Sequence, residues 1–141
     1  MRPCGDGYNL KRNGKMILIF GGAYQGKLAY ALERFRLAES DVYKCESDDA
    51  NTPENRKIIY EIDKWILALV KSGIDIEKAM RQFIGGNQDA IVICNDISCG
   101  VVPLEPELRK WREEAGRALA MLSRISDEVI RLFCGIPTRL K

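Results

Sequence analysis

The segment MILIFGGAYQGKL, residues 16–28, decides the predicted fold because it joins a strand to a helix through a glycine loop. The five apolar residues 16–20 predict a buried strand. Leu28 opens an amphipathic pattern that predicts a helix over residues 27–38. Strand, glycine loop, lysine and helix follow one another in this order in phosphate-binding loops, so the segment predicts both a fold and a ligand.

The loop has the spacing of a P-loop, Gly-x-x-x-x-Gly-Lys, which ends at Lys27. Glycines let backbone N–H groups converge on an anion, the helix N-terminus adds partial positive charge, and the lysine can reach a terminal phosphate. The Ser or Thr that usually follows the lysine is Leu28 here. We predict nucleotide contacts along the whole loop, at Gly21, Gly22, Ala23, Tyr24, Gln25, Gly26, Lys27 and Leu28. The alternative is a tight turn whose glycines serve packing only.

The rest of the chain alternates segments with strand and helix patterns. Strands are predicted over 41–45, 89–94 and 128–134, and helices over 61–72, 76–84 and 105–125, with a short tail over 138–141. Residues 56–60 fit either a short strand or the beginning of a helix. This alternation predicts an α/β P-loop NTPase-like sandwich with a mostly parallel central sheet. We expect a single domain over residues 16–141, after a flexible lead-in over residues 1–15.

Composition narrows the classes of function. The chain has 141 residues and a net charge of +2, so we expect neither a nucleic-acid partner nor a membrane partner. Five cysteines without a C-x-x-C motif or a secretion signal predict free thiols and a cytoplasmic location. The chain contains no histidine, which excludes a His general base and a covalent His intermediate.

Acidic residues after predicted strands are candidates for the chemistry of a phosphate site. Asp96 follows an apolar strand, where a carboxylate commonly holds Mg²⁺, and we predict catalytic roles for Lys27 and Asp96 and a metal-binding role for Asp96. Glu61 is a second candidate if residues 57–60 form a strand, with Asp63 then capping the following helix. If the segment is instead one long helix, Glu61 and Asp63 are both solvated charges on its surface. Three arginines of the long helix could clamp a phosphate or pair with nearby glutamates: Arg109, Arg112 and Arg117.

Four stretches together resemble a known family: GGAYQGK (21–27), NDISCGVVP (95–103), WREEAGRAL (111–119) and SDEVIRLFCGIPTRLK (126–141). The chain is similar to the adenosylcobinamide kinase/adenosylcobinamide-phosphate guanylyltransferase family of cobalamin biosynthesis. In that family the first strand runs into GGARSGKS, a later strand ends in S/T-N-E-V-G-x-G-I-V-P, and the C-terminal helix carries an aromatic-Arg-acid pattern followed by Gly-Arg. The C-terminal block is the more specific part of the resemblance.

The resemblance implies a kinase-like fold that phosphorylates the aminopropanol hydroxyl of adenosylcobinamide and then transfers GMP from GTP through a guanylylated histidine. It also implies nucleotide contacts at Cys45, Glu46 and Ser47, and a strand-end acid at Glu61. The chain departs from the family in three respects. It has no histidine, Leu28 replaces the hydroxyl that binds Mg²⁺, and residues 46–56 are too few for the family's histidine-bearing helix.

We therefore expect a purine nucleotide at the glycine loop, with Mg²⁺ and GTP or ATP as cofactors and a cobinamide-type corrinoid as the acceptor. The reaction that remains is phosphoryl transfer by positioning and charge stabilisation. The alternative is a non-catalytic protein that binds nucleotide or corrinoid for regulation, or keeps only the fold. A third alternative is a structural subunit that forms a homo-oligomer through an exposed sheet edge.

Overall fold

The computed structural model of the protein describes residues 15–97 and 103–141. Its strands are β1 (Ile17–Gly21), β2 (Val42–Lys44), β3 (Ile58–Tyr60), β4 (Ile91–Asn95), β5 (Glu128–Phe133) and β6 (Ile136–Arg139). Its helices are α1 (Lys27–Phe35), α2 (Ile62–Lys71), α3 (Ile76–Gly86) and α4 (Pro106–Ile125), with a short 3₁₀ turn at Glu39–Asp41. In the described part of the chain, no helix is both long enough and apolar enough to cross a membrane.

The six strands form one sheet in the order β2-β3-β4-β1-β5-β6. The first five are parallel, and β6 pairs antiparallel with β5. Strand β1 lies between β4 and β5, and its last residue, Gly21, pairs in register with Asn95. The prediction of an α/β fold with a mostly parallel sheet is confirmed.

Strand β1 is apolar on both sides because helices cover both faces of the sheet. Ile17 and Ile19 face the layer formed by α1, where Ala31 and Phe35 pack against them. Leu18 points to the opposite face, into a larger cluster built from α2, α3 and α4. The end of β1 therefore lies at the carboxyl edge of the parallel strands, in a sheet that is buried on both faces.

The ambiguous residues before α2 form a strand. β3 covers Ile58–Tyr60, and Glu61 then takes a left-handed conformation, with φ 60°, that separates the strand from the helix. Its neighbour β2 is parallel to β3, although the chain between them contains no helix. Side chains of the helical layer hold this connection in place: Trp65 Nε1 donates to the Ala50 carbonyl at 3.2 Å, and Asn87 Nδ2 donates to the Pro53 carbonyl at 3.0 Å.

The predicted C-terminal tail is wrong, since Ile136–Arg139 forms β6. Cys134 and Gly135 have φ values of 52° and 76°, the left-handed conformation that a two-residue hairpin turn requires at both positions. Pro137 lies within this strand, which is possible because β6 is at the edge of the sheet, where proline is tolerated. Several predicted ends also shift: α1 ends at Phe35 rather than at residue 38, and β4 covers 91–95 rather than 89–94. The predicted lead-in lies outside the described residues, apart from residue 15.

The contact between Gly21 and β5 yields the first testable prediction. A Cβ atom built on Gly21 would lie 2.3 Å from the Leu132 carbonyl oxygen, and the φ of 154° is one that side chains rarely adopt. We expect Gly21→Ala to lower the free energy of unfolding by about 2–4 kcal/mol, because a backbone group cannot yield as a side chain can. Chemical denaturation measures this loss.

Gly116→Ala is the matched control for this substitution. Gly116 lies within α4, and a Cβ atom there meets nothing within 4 Å. Alanine should leave stability unchanged or raise it by about 0.5–1 kcal/mol. Equal effects of the two substitutions would contradict the steric explanation.

Candidate functional site

A cleft of about 730 Å³ lies at the carboxyl ends of the central strands. After β1 the chain continues into α1 on one face of the sheet, whereas α4, which follows β4, covers the other face. Adjacent parallel strands whose connections leave in opposite directions open a crevice, which is the usual ligand site of such sheets. The cleft is lined by Ala23, Tyr24, Gln25, Gly26, Lys27, Leu28, Ala29, Ser47, Tyr60, Glu61, Asp63, Lys64, Leu67, Asn95, Asp96, Ile97 and Trp111.

Lys27 begins α1, and its side chain folds back over the loop. Its Nζ donates to the Gly22 carbonyl at 2.6 Å, and the residue is only 4% exposed. Burial lowers the pKa of the Lys27 ammonium, whereas the nearby Asp63, Cys94 and Glu61 raise it. The single cation of the glycine loop is therefore held at the loop and faces acidic groups across the cleft.

The N-terminus of α1 is open at the loop. Gly26 is the N-cap residue with φ 83°, and within the described residues no side chain caps this end of the helix. The first turn also contains no acidic residue. Its N–H groups and the positive end of the helix dipole are thus available to an anion in the cleft.

The end of β5 supports the loop from behind. The Leu132 carbonyl contacts Gly21, and a Leu132 methyl group lies 4.0 Å from a Cβ built on Gly26. At the hairpin turn, the backbone N–H of Cys134 donates to Oε1 of Gln25 in a short hydrogen bond. β5 therefore lies directly against Gly21, is hydrogen-bonded through the hairpin turn to Gln25, and leaves no room for a side chain at Gly21.

Three polar side chains form the opposite wall of the cleft. Asp63, in the first turn of α2, is 2% exposed, and its Oδ1 accepts the backbone N–H of Asn95 at 3.0 Å. The Asn95 amide nitrogen lies 3.3 Å from Asp63 Oδ2 and 3.4 Å from Glu61 Oε2. Glu61 also pairs with Lys64 at 3.1 Å. Burial raises the pKa of the Asp63 carboxyl, although its hydrogen bonds to Asn95 oppose the rise.

Trp111 and Leu28 make the cleft partly apolar. Trp111 Nε1 donates to the main-chain carbonyl of Asp63 at 2.7 Å, which ties α4 to the start of α2. Leu28 is half-buried, lines the cleft and also packs against the cluster on the α1 face of the sheet. At the position where a P-loop usually has a hydroxyl, this chain therefore has a side chain anchored by apolar contacts.

The structure brings together most of the residues proposed from the sequence. Residues 23–28 line the cleft, as do Ser47, Glu61 and Asp96, whereas Gly21 and Gly22 do not line it. Cys45 lies elsewhere: it directly follows β2, its side chain points into the core, and it is 2% exposed.

Several other candidates do not line the cleft. Glu46 is exposed and is not among the lining residues. Arg109 donates to the carbonyl of Leu104, which precedes α4. Arg117 forms an ion pair with Glu113 of the same helix at 2.6 Å. Both arginines therefore make local contacts in or next to α4.

Sequence reasoning missed the structural role of Asp63, which was considered only as a helix cap. It did not consider Asn95 or Trp111 as site residues. A signal for Asp63 was present, because an acid that directly follows a strand and begins a helix lies at the ligand-binding edge of a parallel sheet.

The donor groups of the cleft fit Mg²⁺ only together with bound phosphates. Within residues 15–97 and 103–141, no three Asp, Glu or Cys side chains converge closely enough to hold a metal ion. Mg²⁺ commonly uses one or two carboxylates together with phosphate oxygens and water. Asp96 and Glu61 line the cleft and could supply such carboxylates beside a nucleotide.

A parallel α/β sheet whose central strand runs through Gly-x-x-x-x-Gly-Lys into a helix defines a P-loop NTPase-like protein. The sequence model of the family "Cobinamide kinase / cobinamide phosphate guanyltransferase" matches residues 57–140, more than half of the chain. The chain belongs to this family. The glycine loop lies before the matched region. No curated protein gives a significant match to the chain.

The burial of Asp63 yields a prediction about pH. The raised pKa means that the Asp63 carboxyl keeps its proton to a higher pH in the folded protein than in the unfolded chain, where the pKa of Asp is about 3.9. The stability contributed by this group is therefore complete below the unfolded pKa and is lost as the pH rises through the folded pKa. Asp63→Asn removes the titration, so the stability of the variant relative to wild type should increase with pH.

Urea denaturation between about pH 4 and pH 8 measures this trend. Asp89→Asn, which changes an exposed carboxylate, is the control and should show no such trend. A stability difference between wild type and Asp63→Asn that does not vary with pH would contradict the prediction.

Proposed function

We propose that this protein binds a purine nucleoside triphosphate, ATP or GTP, with its phosphates in the loop over residues 21–28. The observation that carries the proposal is the position of Lys27, which is held over the loop beside an uncapped helix N-terminus. Backbone N–H groups and a lysine at the carboxyl edge of a parallel sheet are the groups that recognise phosphate. The support of the loop by β5 keeps these donors in place before the ligand arrives.

The reaction that this site supports best is phosphoryl transfer to a hydroxyl group, with a cobinamide-type corrinoid as the acceptor. The acceptor oxygen attacks the terminal phosphorus, and the bond to the oxygen that bridges to the next phosphorus breaks. Lys27 offsets negative charge on the transferred group, and an acid on the opposite wall, Asp96 or Glu61, orients the acceptor hydroxyl and takes its proton as the new O–P bond forms. Mg²⁺, when bound with the nucleotide, supplies further positive charge at the phosphates.

Guanylyl transfer through a histidine is not part of this proposal, since the chain contains no histidine. The family's two-step chemistry is thereby reduced to its first step. Nothing in the kinase step needs a covalent intermediate, because phosphoryl transfer depends on positioning and charge stabilisation.

A second candidate function is nucleotide binding without turnover, and the observation that favours it is Leu28. A hydroxyl at this position would bind Mg²⁺, whereas the leucine is anchored by apolar contacts to the α1 face of the sheet. A protein of this kind would report nucleotide levels rather than consume the nucleotide.

Nucleotide titration with Lys27→Ala tests the binding proposal. We expect the variant to bind ATP or GTP about 10- to 100-fold more weakly than wild type, because one charge-assisted contact to phosphate is lost. Lys71→Ala changes an exposed lysine at the far end of α2 and should leave the affinity unchanged. Calorimetry with and without Mg²⁺ gives the affinities. Wild-type protein that binds neither nucleotide would refute the proposal.

Leu28→Ser separates the two candidate functions. The new hydroxyl restores the missing metal ligand, so Mg²⁺ should strengthen nucleotide binding about tenfold more in this variant than in wild type. Leu67→Ser is the matched control, since it removes a half-buried leucine that also lines the cleft but does not follow the loop lysine. If Mg²⁺ has the same effect on the affinities of both variants, the metal-ligand explanation fails. Turnover on cobinamide by wild type would favour the kinase.

A further inference from the structure

The two walls of the cleft have opposite hydrogen-bonding character. The loop wall offers donors: the Lys27 ammonium and the N–H groups at the start of α1. The opposite wall carries acceptors, among them the carboxylates of Glu61 and Asp96. An ionised phosphate accepts hydrogen bonds, so it fits the first wall. The second wall needs a ligand that donates.

Asn95 is the group of the second wall whose orientation is set by its neighbours. It is the last residue of β4, lies in register with Gly21 and is half-buried at the cleft. Its amide nitrogen lies 3.3 Å from Asp63 Oδ2 and 3.4 Å from Glu61 Oε2. Because the amide nitrogen faces both carboxylates, Oδ1 takes the other branch of the planar amide, and Asn95 lines the cleft.

Asp63 is well suited to impose this orientation. It is 2% exposed, its Oδ1 accepts the Asn95 backbone N–H at 3.0 Å, and its carbonyl accepts Trp111 Nε1 at 2.7 Å. The Trp111 bond fixes the backbone of Asp63, and the side chain cannot turn without breaking its hydrogen bonds to Asn95 at the end of β4. An ionised carboxylate only accepts hydrogen bonds, so the neighbouring amide must present its NH₂ group to it.

We propose that Asp63 is a positioning residue that turns the Asn95 Oδ1 into the cleft, where this oxygen accepts a hydrogen bond from a donor group of the acceptor alcohol other than the attacking hydroxyl, whose single proton faces Asp96 or Glu61. The inference rests on the proposed function and adds the group that recognises the second substrate. It divides the cleft into a phosphate side at the loop and an alcohol side at the end of β4. Asp63 itself does not contact the substrate.

The substitution Asp63→Asn tests this division. An asparagine at this position can still accept the Asn95 backbone N–H through its oxygen, but it then presents an NH₂ group to the Asn95 amide. Two donors repel, so the Asn95 amide should flip and present its own NH₂ to the cleft. We expect cobinamide to bind about tenfold more weakly, since a hydrogen bond to the alcohol is lost. The nucleotide should show no such loss, because the substitution removes a negative charge from the cleft that holds its phosphates.

Equilibrium dialysis measures cobinamide binding through the corrinoid absorbance, so the assay does not require turnover. Asp75→Asn is the matched control. Asp75 caps α3 by accepting the Lys78 N–H at 3.2 Å, lies away from the cleft, and can be replaced by Asn without loss of the cap. This variant should bind cobinamide as wild type does.

The exchange variant Asp63→Asn/Asn95→Asp provides a rescue when both it and Asp63→Asn are made together with Glu61→Gln, since Glu61 Oε2 lies 3.4 Å from the Asn95 amide nitrogen and would repel a carboxylate there. A carboxylate at position 95 accepts from the new NH₂ group and still presents an oxygen to the cleft. Cobinamide affinity should recover relative to Asp63→Asn/Glu61→Gln, whereas Asn95→Asp alone places two carboxylates together and should not bind well.

The outcomes separate the inference from the proposed function. Unchanged cobinamide affinity in Asp63→Asn, or equal losses for cobinamide and nucleotide, would overturn the inference. Wild-type protein that binds nucleotide but not cobinamide would also overturn it, and would leave the nucleotide proposal standing. Failure of nucleotide binding, with cobinamide binding intact and sensitive to Asp63→Asn, would reject the proposed function and retain the role of Asp63.

Discussion

The parallel pairing of β1 with β4 is the constraint on which the site depends. It ends with Gly21 opposite Asn95, and the chain then continues with a hydrogen bond from the Asp96 N–H to the Gly21 carbonyl at 2.8 Å. The glycine loop and the acidic wall are therefore built on adjacent strand ends, a strand spacing of about 5 Å apart. A shift of one residue in register would move Asn95 away from the loop and turn the apolar side chains of β4 to the wrong faces.

The sequence was sufficient to predict the class of fold and the order of most elements. The apolar run of β1, the glycine spacing and the amphipathic pattern of α1 are local signals, and the structure confirms each. The family was also recognised from short motifs in the loop and in the C-terminal block, and the family match over residues 57–140 confirms it. Nucleotide contacts along the loop stay a prediction, since neither the fold nor the family match tests them.

Other features depend on contacts between distant segments, which no local pattern contains. Ile58–Tyr60 is a strand because β4 and β2 lie on either side of it, although its own sequence fits a helix as well. The edge strand β6 exists because the Cys134–Gly135 turn returns the chain to β5, and a cysteine in the left-handed conformation is not a common turn signal. Asp63 became visible as a site residue only once its hydrogen bonds to Asn95, 32 positions along the chain, were known.

The helix-free connection between β2 and β3 has a consequence for changes in the length of the chain at this place. The connection lies over the helical layer and is held by Trp65 and Asn87 through main-chain carbonyls, contacts that do not depend on which side chains the connection carries. The entropic cost of lengthening a loop grows only with the logarithm of its length. A segment could thus be gained or lost here without disturbing the sheet. The chain can therefore change in length between β2 and β3 while the core of the sheet stays the same.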